Sequence, residues 1–452
     1  MPCDSAGALM PASDGVSASL PVPYIGAVRA DRGLPPRIEH QIVIVGAGTA
    51  GITTAAVLLL RERGLDIALI EPKRVHYYQP GWTLVGAGLY PHSKTERSIE
   101  EVMPEGAVLI EGEVCRFEPR HDQLVLRDGR TVSYAVLILA MGIELDWAAI
   151  PGLTETLGQN GVASSYDFDA APYVWDLIQE LGSGRALFTQ PRMPIKCSGA
   201  PQKIMYLASD FWRGEGKLGT IEVEFHTPGA ALTANRDFLP ELSHYVGRYG
   251  ISPHLGSCLI AVDGPSGQAT FEKLTADGKV RQEVRHFDLL HVVPPQRAPQ
   301  ALRESELSNG EGWAAVDPET LQHVGFPNVF ALGDCCSAPN EKTAAAVRAQ
   351  APVLAENLIA YLGAGVLKPA YDGYGACPVT VARGRVLLAQ FGYRGRLLPP
   401  FPRSPNKAIK ATRLGWFLDR YLFPKTYWTG LLKGRGGWPR GKPYVGPTAK
   451  EP

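Results

Sequence analysis

The sequence predicts an α/β fold: two Rossmann-like dinucleotide-binding domains, the first of them discontinuous, followed by a C-terminal membrane-interface region. Three stretches carry this expectation. The first is Gly46-Ala-Gly48-Thr49-Ala50-Gly51, a G-x-G-x-x-G run between an apolar β-branched segment (Ile42 to Val45) and an Ala- and Leu-rich helix predicted over Ile52 to Arg63. The second is a block from about 160 to 295 with its own alternation of strands and helices but no such glycine run. The third is the late buried strand Val329 to Gly333 ending in Asp334, followed by an Ala-rich helix predicted over Lys342 to Leu362.

The glycines of the first stretch have distinct physical roles, namely a tight turn, close approach of backbone to a pyrophosphate, and close strand–helix packing. The helix N-terminus then offers free N–H groups to the phosphates. A second apolar run, Ile67 to Ile70, ends at Glu71, twenty residues past Gly51. An acid there accepts hydrogen bonds from a ribose and repels a 2′-phosphate. The competing reading is a glycine-rich turn in a plain α/β domain.

With 452 residues the chain exceeds one ordinary core, and two or three domains are expected. The formal net charge of zero excludes a global basic field for nucleic acid. Seven cysteines, odd in number and widely scattered, do not form a secreted disulfide scaffold. No apolar run reaches the roughly 18 residues of a membrane span; the best, Tyr134 to Ile143, stops at Glu144. Residues 1–37 are rich in Ala, Ser, Pro and Gly without an apolar core segment, and read as a disordered extension rather than a secretory signal.

Residues 38–155 form the first part of the nucleotide domain. After Glu71 comes a loop of aromatic and small residues, Pro72 to Gly88. Glu111 to Phe117 and Gln123 to Arg127 read as a β-meander, with Asp128-Gly129 as hairpin turn. Tyr134 to Ala140 is a buried strand, and Ile150-Pro151-Gly152 marks the boundary. Residues 156–295 form the second domain, with strands at Ala186 to Thr189, Ile221 to Phe225 and Leu289 to Val293, and helices at Ala200 to Trp212 and Leu239 to Tyr249. Its first strand leads to Gln190 through Cys197, and without glycines the backbone there cannot close on a pyrophosphate. A bound nicotinamide nucleotide is disfavoured. Residues 296–370 are expected to return to the first domain, as such a late strand does in two-part flavoproteins, where its acid, here Asp334, meets the ribityl chain and the following helix directs its positive end at the flavin.

Residues 371–452 differ in character. Between 403 and 442 there are ten Lys or Arg against one acid, Asp419, and three of the eight tryptophans (Trp416, Trp428, Trp438). Asn406 to Tyr421 has the composition of an interfacial amphipathic helix, with cations for anionic lipid and aromatics for the headgroup level. The alternative is a helix packed on its own protein with a solvated basic face.

Two cysteines stand in distinctive loops: Cys197 in Pro194 to Lys203, and Cys377 immediately before Pro378. Cys197 precedes a predicted helix and adjoins Lys196, so the helix dipole and that charge are both expected to lower its pKa. Spacing alone favours buried structural cysteines. The pattern as a whole speaks otherwise. Lys196 to Tyr206, Gly333-Asp334-Cys335, Lys342 to Ala346, Tyr371 to Tyr374 with Cys377-Pro378, Tyr78-Gln79-Pro80 with Thr83 to Gly88, and Leu321 to His323 with Pro327 to Phe330 closely resemble sulfide:quinone oxidoreductases, in the branch that includes the mitochondrial enzyme.

The resemblance spans roughly residues 40 to 440 and implies dissociable FAD as cofactor. It places Gly46, Gly48, Thr49, Ala50 and Gly51 at the pyrophosphate, Glu71 at the adenosine ribose and Gln79 near the flavin. Val114 meets the adenine, Asp334 the ribityl chain and Lys342 the pyrimidine end of the flavin ring. It makes Cys197 and Cys377 the redox pair, with sulfide attacking at Cys377 to leave a persulfide there and a thiolate at Cys197. Some relatives attach the flavin through a further cysteine; the corresponding stretch here, Val162 to Tyr166, has none. The implied partners are hydrogen sulfide, ubiquinone or a related quinone, a sulfur acceptor (sulfite, glutathione or sulfide) and a membrane surface, with a homo-oligomer open. The implied location is peripheral (monotopic) on a bacterial or mitochondrial inner membrane, with Phe391 and Tyr393 as candidate quinone contacts. Cys335 and Cys336 are expected to be structural. Three other readings compete: a type II NADH:quinone oxidoreductase, which needs a glycine loop in the second domain; a flavocytochrome sulfide dehydrogenase, which the basic aromatic tail disfavours; and a non-enzyme flavin-bound redox sensor or membrane interaction protein, which would hold FAD without turnover.

Overall fold

The structure is a computed structural model that describes residues 37–275, 278–398 and 409–436. The first strand, Arg37–Val45, is the centre of a seven-stranded sheet. It pairs in parallel with Ile67–Glu71 on one side and Thr131–Leu139 on the other, and Ala107–Glu111 extends the first side. Ile42, Val43 and Ile44 are wholly buried, which is why this run lacks the polar alternation of a half-exposed strand. The late strand Val329–Ala331 adds to the end of Thr131–Leu139 in parallel, so a segment distant in sequence completes the same sheet. Two helices, Thr49–Arg61 and Ala344–Leu362, pack together over it.

One strand of the expected meander is two. Ala107–Glu111 is parallel to Ile67–Glu71, and only after Gly112-Glu113 does Val114–Glu118 pair antiparallel with Gln123–Leu126. Both halves are apolar, so composition conceals the break.

A five-stranded parallel sheet follows, in the order Val162–Ala163, Leu289–His291, Gly184–Thr189, Ile221–Thr227, Ser252–Leu255. A three-stranded antiparallel sheet (Ser257–Asp263, Gln268–Leu274, Val280–His286) lies against it. The helix Ala200–Gly214 is buried along its first three turns because the parallel sheet lies on one side and the strand Gly375–Ala382 on the other. Cys377 therefore lies within a strand, although Gly375 and Pro378 beside it suggest a loop.

The tail departs from the expected single helix. Asn406 lies outside the described residues. Arg413–Phe417 is α-helical, Leu418–Leu422 is a π-helical turn, and Phe423–Thr429 resumes the α-helix. The two faces divide the work. Leu414, Phe417, Tyr421 and Leu422 are exposed, whereas Tyr427 and Trp428 are buried against the first domain. Tyr427 Oη lies 2.7 Å from both Thr49 Oγ1 and His76 Nε2, and Arg97 stacks over Trp428. Trp438 lies outside the described residues. No helix among the described residues is long and apolar enough to cross a membrane.

Candidate active site

A cleft of about 970 Å³ runs from the glycine loop to Cys197. Its wall brings together Gly46, Gly48, Thr49, Ala50, Glu71, Gln79, Val114, Asp334, Lys342 and Cys197. Gly51 and Cys377 are not in that wall; they stand behind it.

At the loop end the glycines have separable roles. Gly46 has φ +103°, and a Cβ there would come within 2.5 Å of Ala140 O. A Cβ on Gly51 would lie 1.9 Å from Gly46 O, so Gly51 serves helix–strand packing. A Cβ on Gly48 would meet no protein atom within 4 Å, so only the cleft side explains its smallness. The helix Thr49–Arg61 has no side-chain N-cap and no acid in its first turn, which leaves its first N–H groups for a ligand anion. Glu71 accepts from the Ala47 and Lys73 amides, at 2.9 and 3.1 Å, and burial raises its pKa despite those bonds. Gly51→Ala is expected to lower stability by about 1–3 kcal/mol through overpacking and to reduce the flavin-to-protein absorbance ratio after purification. A fully loaded, equally stable variant would show that the loop tolerates a shift at this contact.

At the other end Cys197 and Cys377 meet, their Sγ atoms 3.3 Å apart. Cys197 has φ +51°, a left-handed conformation held by Tyr166, whose hydroxyl donates to the Lys196 and Cys197 carbonyls at 3.0 Å each. The Cys197 amide donates to Lys342 O, tying the Cys197 loop to the segment after Asp334. Close packing fixes the partner thiol too: a Cβ on Gly199 would fall 2.7 Å from Cys377 Sγ.

The cation at this pair is Lys203, not the expected Lys196. Lys196 Nζ turns away to Gln79 Oε1, at 2.6 Å, and lies over the Trp82 and Tyr166 rings. Lys203, one turn inside the helix, places Nζ 3.6 Å from Cys197 Sγ. The Cys377 thiol hydrogen-bonds Cys197 and pulls its pKa down, Lys203 adds to this, and burial opposes both. Cys377, donating that bond and buried, moves well upward. The arrangement assigns the thiolate to Cys197, the member that faces the cleft.

Two further residues at this end are not legible in the sequence. Ser198 Oγ donates to Glu341 Oε1 at 2.8 Å, and burial raises the Glu341 carboxyl. Asp419, the one acid of the basic tail, accepts from Thr380 Oγ1 at 3.2 Å and is among the charges that keep Lys203 protonated against its burial.

Lys342 precedes its helix rather than opening it, since Thr343 is the N-cap. Its Nζ donates to the Asp334 and Cys336 carbonyls and lies 3.9 Å from the Trp313 ring centre. Cys335 and Cys336 are buried, and burial raises both thiols, Cys335 to about 12, so they are poor nucleophiles. Tyr393 Oη donates to Pro318 O and its ring packs on Tyr371; neither it nor Phe391 lines the cleft.

The family model described as pyridine nucleotide-disulphide oxidoreductase matches residues 40–176. A Dictyostelium discoideum protein named sulfide:quinone oxidoreductase, mitochondrial, is 36% identical over 399 residues, covering 87% of this chain and 86% of its own length. A Mus musculus protein of the same name is 35% identical, covering 89% and 88%. The chain belongs to the sulfide:quinone oxidoreductase family. Membership makes it a flavin-dependent oxidoreductase. Among solved structures, the sulfide:quinone oxidoreductase from Aquifex aeolicus superposes with a TM-score of 0.71 at 14% identity, covering 88% of this chain and 93% of that one. An NDH2 from Plasmodium falciparum reaches 0.51 at 16% identity, covering 66% of this chain and 64% of its own. Both likenesses concern the fold of two-domain flavoproteins. Within the family fold, the second domain's first strand Gly184–Thr189 runs into the cysteine loop instead of a glycine turn.

Proposed function

We propose that this chain oxidises hydrogen sulfide at Cys197 and Cys377, transfers two electrons to non-covalently held FAD and passes them to a quinone at a membrane surface. The observation that carries this reading is the pair itself: two sulfurs 3.3 Å apart, one of them in the wall of the cleft. The gap is too long for a direct S–S bond of about 2.05 Å. Two such bonds meeting at slightly more than a right angle span it, so one sulfur atom fits between.

The cleft suits FAD. The uncapped helix end and Gly48 would take the pyrophosphate, Glu71 the ribose, Val114 the adenine, Asp334 the ribityl chain, and Lys342 the pyrimidine edge, with Gln79 near the ring. The stretch Val162 to Tyr166, whose Ser165 and Tyr166 line the cleft, contains no cysteine, which supports dissociable cofactor. Bound FAD supplies a two-electron acceptor.

The chain's own residues then act as follows. Sulfide attacks Cys377 Sγ, its new S–S bond replacing the bond to the bridging sulfur, which leaves on Cys197 as a persulfide anion. Lys203 stabilises that anion. A nucleophilic acceptor (sulfite, a small thiolate or a second sulfide) takes the outer sulfur from Cys377 and leaves its thiolate. Removal of two electrons from the Cys197 side lets the Cys377 thiolate bond to the sulfane sulfur and restore the bridge. The net change is sulfide plus acceptor to sulfurated acceptor, one proton and two electrons.

The exposed face Leu414, Phe417, Tyr421 and Leu422, beside Arg413 and Lys425, is suited to the headgroup region, which favours a peripheral rather than a spanning attachment. One experiment tests the reading. Under anaerobic conditions sulfide should bleach the flavin and NADH should not, and quinone in anionic vesicles should restore the colour; acid precipitation should release the FAD. Bleaching by NADH alone would replace this reading with an NADH:quinone reductase. Recovery with soluble but not vesicle-borne quinone would remove the membrane assignment.

A further inference from the structure

We propose that Glu224, His226 and His254 form a binding site for one divalent transition-metal ion, of which zinc best matches the donors. The site lies in the second domain, and none of its three residues lines the cleft that holds Cys197. The β-sheet builds it. Glu224 and His226 are two residues apart on the strand Ile221–Thr227 and so share a face, and His254 on Ser252–Leu255 stands in register with His226. Glu224 Oε2 lies 3.0 Å from His226 Nε2 and 3.1 Å from His254 Nε2, and the three donor atoms fall within 4.8 Å of one another. Two imidazole nitrogens and one carboxylate oxygen gathered this closely are the donor types that zinc takes.

The outer contacts suit a metal ligand set. His226 Nδ1 lies 2.9 Å from Ser257 Oγ, a hydrogen bond that leaves Nε2 directed at the site. Phe271 stacks against the His226 ring with centres 3.8 Å apart; His254 stacks parallel to His226 at 4.4 Å, so the part-exposed His254 ring has to turn for both Nε2 lone pairs to meet one ion. The second carboxylate oxygen, Oε1, is held by Arg185 Nε at 3.2 Å, so Glu224 offers a single oxygen. His254 is part-exposed and gives access from solvent for the ion and a completing water.

The charges facing the site also set its strength. Arg185 and Arg285, the latter 4.0 Å from Glu224 Oε2, oppose a dication, so binding is expected to be moderate rather than tight. The competing account is an ion network in which both imidazoles merely donate to a buried carboxylate.

The test uses the flavin-loaded full chain, stripped with chelator and titrated with zinc chloride alone by calorimetry. The expected result is one zinc per chain. His254→Ala should weaken binding at least tenfold with flavin content unchanged, and Cys377→Ser should leave it intact. Absence of binding at millimolar zinc overturns the site. Loss of binding in Cys377→Ser with retention in His254→Ala assigns the metal to the cysteines and overturns it equally. Should His254→Ala fail to fold, His254→Gln, which keeps the side chain's polar reach, carries the same comparison.

Discussion

Cys377→Ser and Cys197→Ser are each expected to reduce sulfide-dependent flavin bleaching by about a thousand-fold or more while flavin content stays near that of the parent protein. The magnitude follows from loss of a covalent route: a hydroxyl forms no bond to sulfur that sulfide can exchange, and removing one member of a nucleophilic set removes the set's whole effect. The two variants differ in what they leave. Cys377 is 3% exposed and stands behind the cleft wall. Its replacement leaves the flavin cavity unaltered and should cost about 1–3 kcal/mol for an ill-partnered buried hydroxyl. Cys197 is in the wall, and its replacement also removes the anion that faces the flavin. Rapid alkylation of reduced protein should therefore persist in Cys377→Ser and vanish in Cys197→Ser. Substantial turnover in either variant removes the relay from the mechanism, and turnover in Cys377→Ser alone confines the chemistry to Cys197.

The parts of this site that are legible in the sequence are those made by neighbours along the chain. Gly46, Gly48 and Gly51 declare a turn, and the strand before and helix after them declare its setting, because each glycine's role is local. Asp334 is legible for a similar reason, as an acid ending an apolar strand. The meeting of Cys197 and Cys377 is legible only through resemblance, since nothing local links residues 197 and 377. Lys203 is hidden because the chain brings it back to Cys197 only after a left-handed turn at Cys197 and the first turn of the helix. Adjacent Lys196, the obvious cation by position, is turned to Gln79 by that geometry. The tail shows the limit of composition. Its aromatics predict an interface, but which of them face inward depends on what they meet. Tyr427 and Trp428 find His76, Tyr78 and Arg97, whereas Phe417 and Tyr421 stay exposed. Asp419 likewise reads as a stray acid until the fold sets it beside Thr380 near Lys203.

Lys203→Met is expected to move the acid limb of kcat for sulfide oxidation upward by about 1–2 pH units, because the Cys197 anion exists only after sulfide has attacked and an adjacent opposite charge lowers an acid's pKa by that order. The sign follows from which form reacts. The sulfur anion at Cys197 exists above its pKa, and a lowered pKa keeps it present as the pH falls. The Cys377 hydrogen bond is the first cause of that lowering and survives the substitution; the Lys203 charge and its own bond to Sγ are lost. Burial, which opposes ionisation, then has less to offset it, so protonation occurs at higher pH and activity fails earlier on the acid side. Lys203→Arg keeps the charge and should hold the limb near its original place, which separates electrostatics from packing. Iodoacetamide labelling of the reduced, cofactor-free protein across pH gives the same shift without reference to turnover. A limb unmoved in Lys203→Met, with labelling also unmoved, would mean that the thiol partner alone sets the anion. An equal loss of rate at every pH would make Lys203 a packing residue. The wider reach of this prediction lies in Asp419, which helps keep Lys203 charged from within the tail.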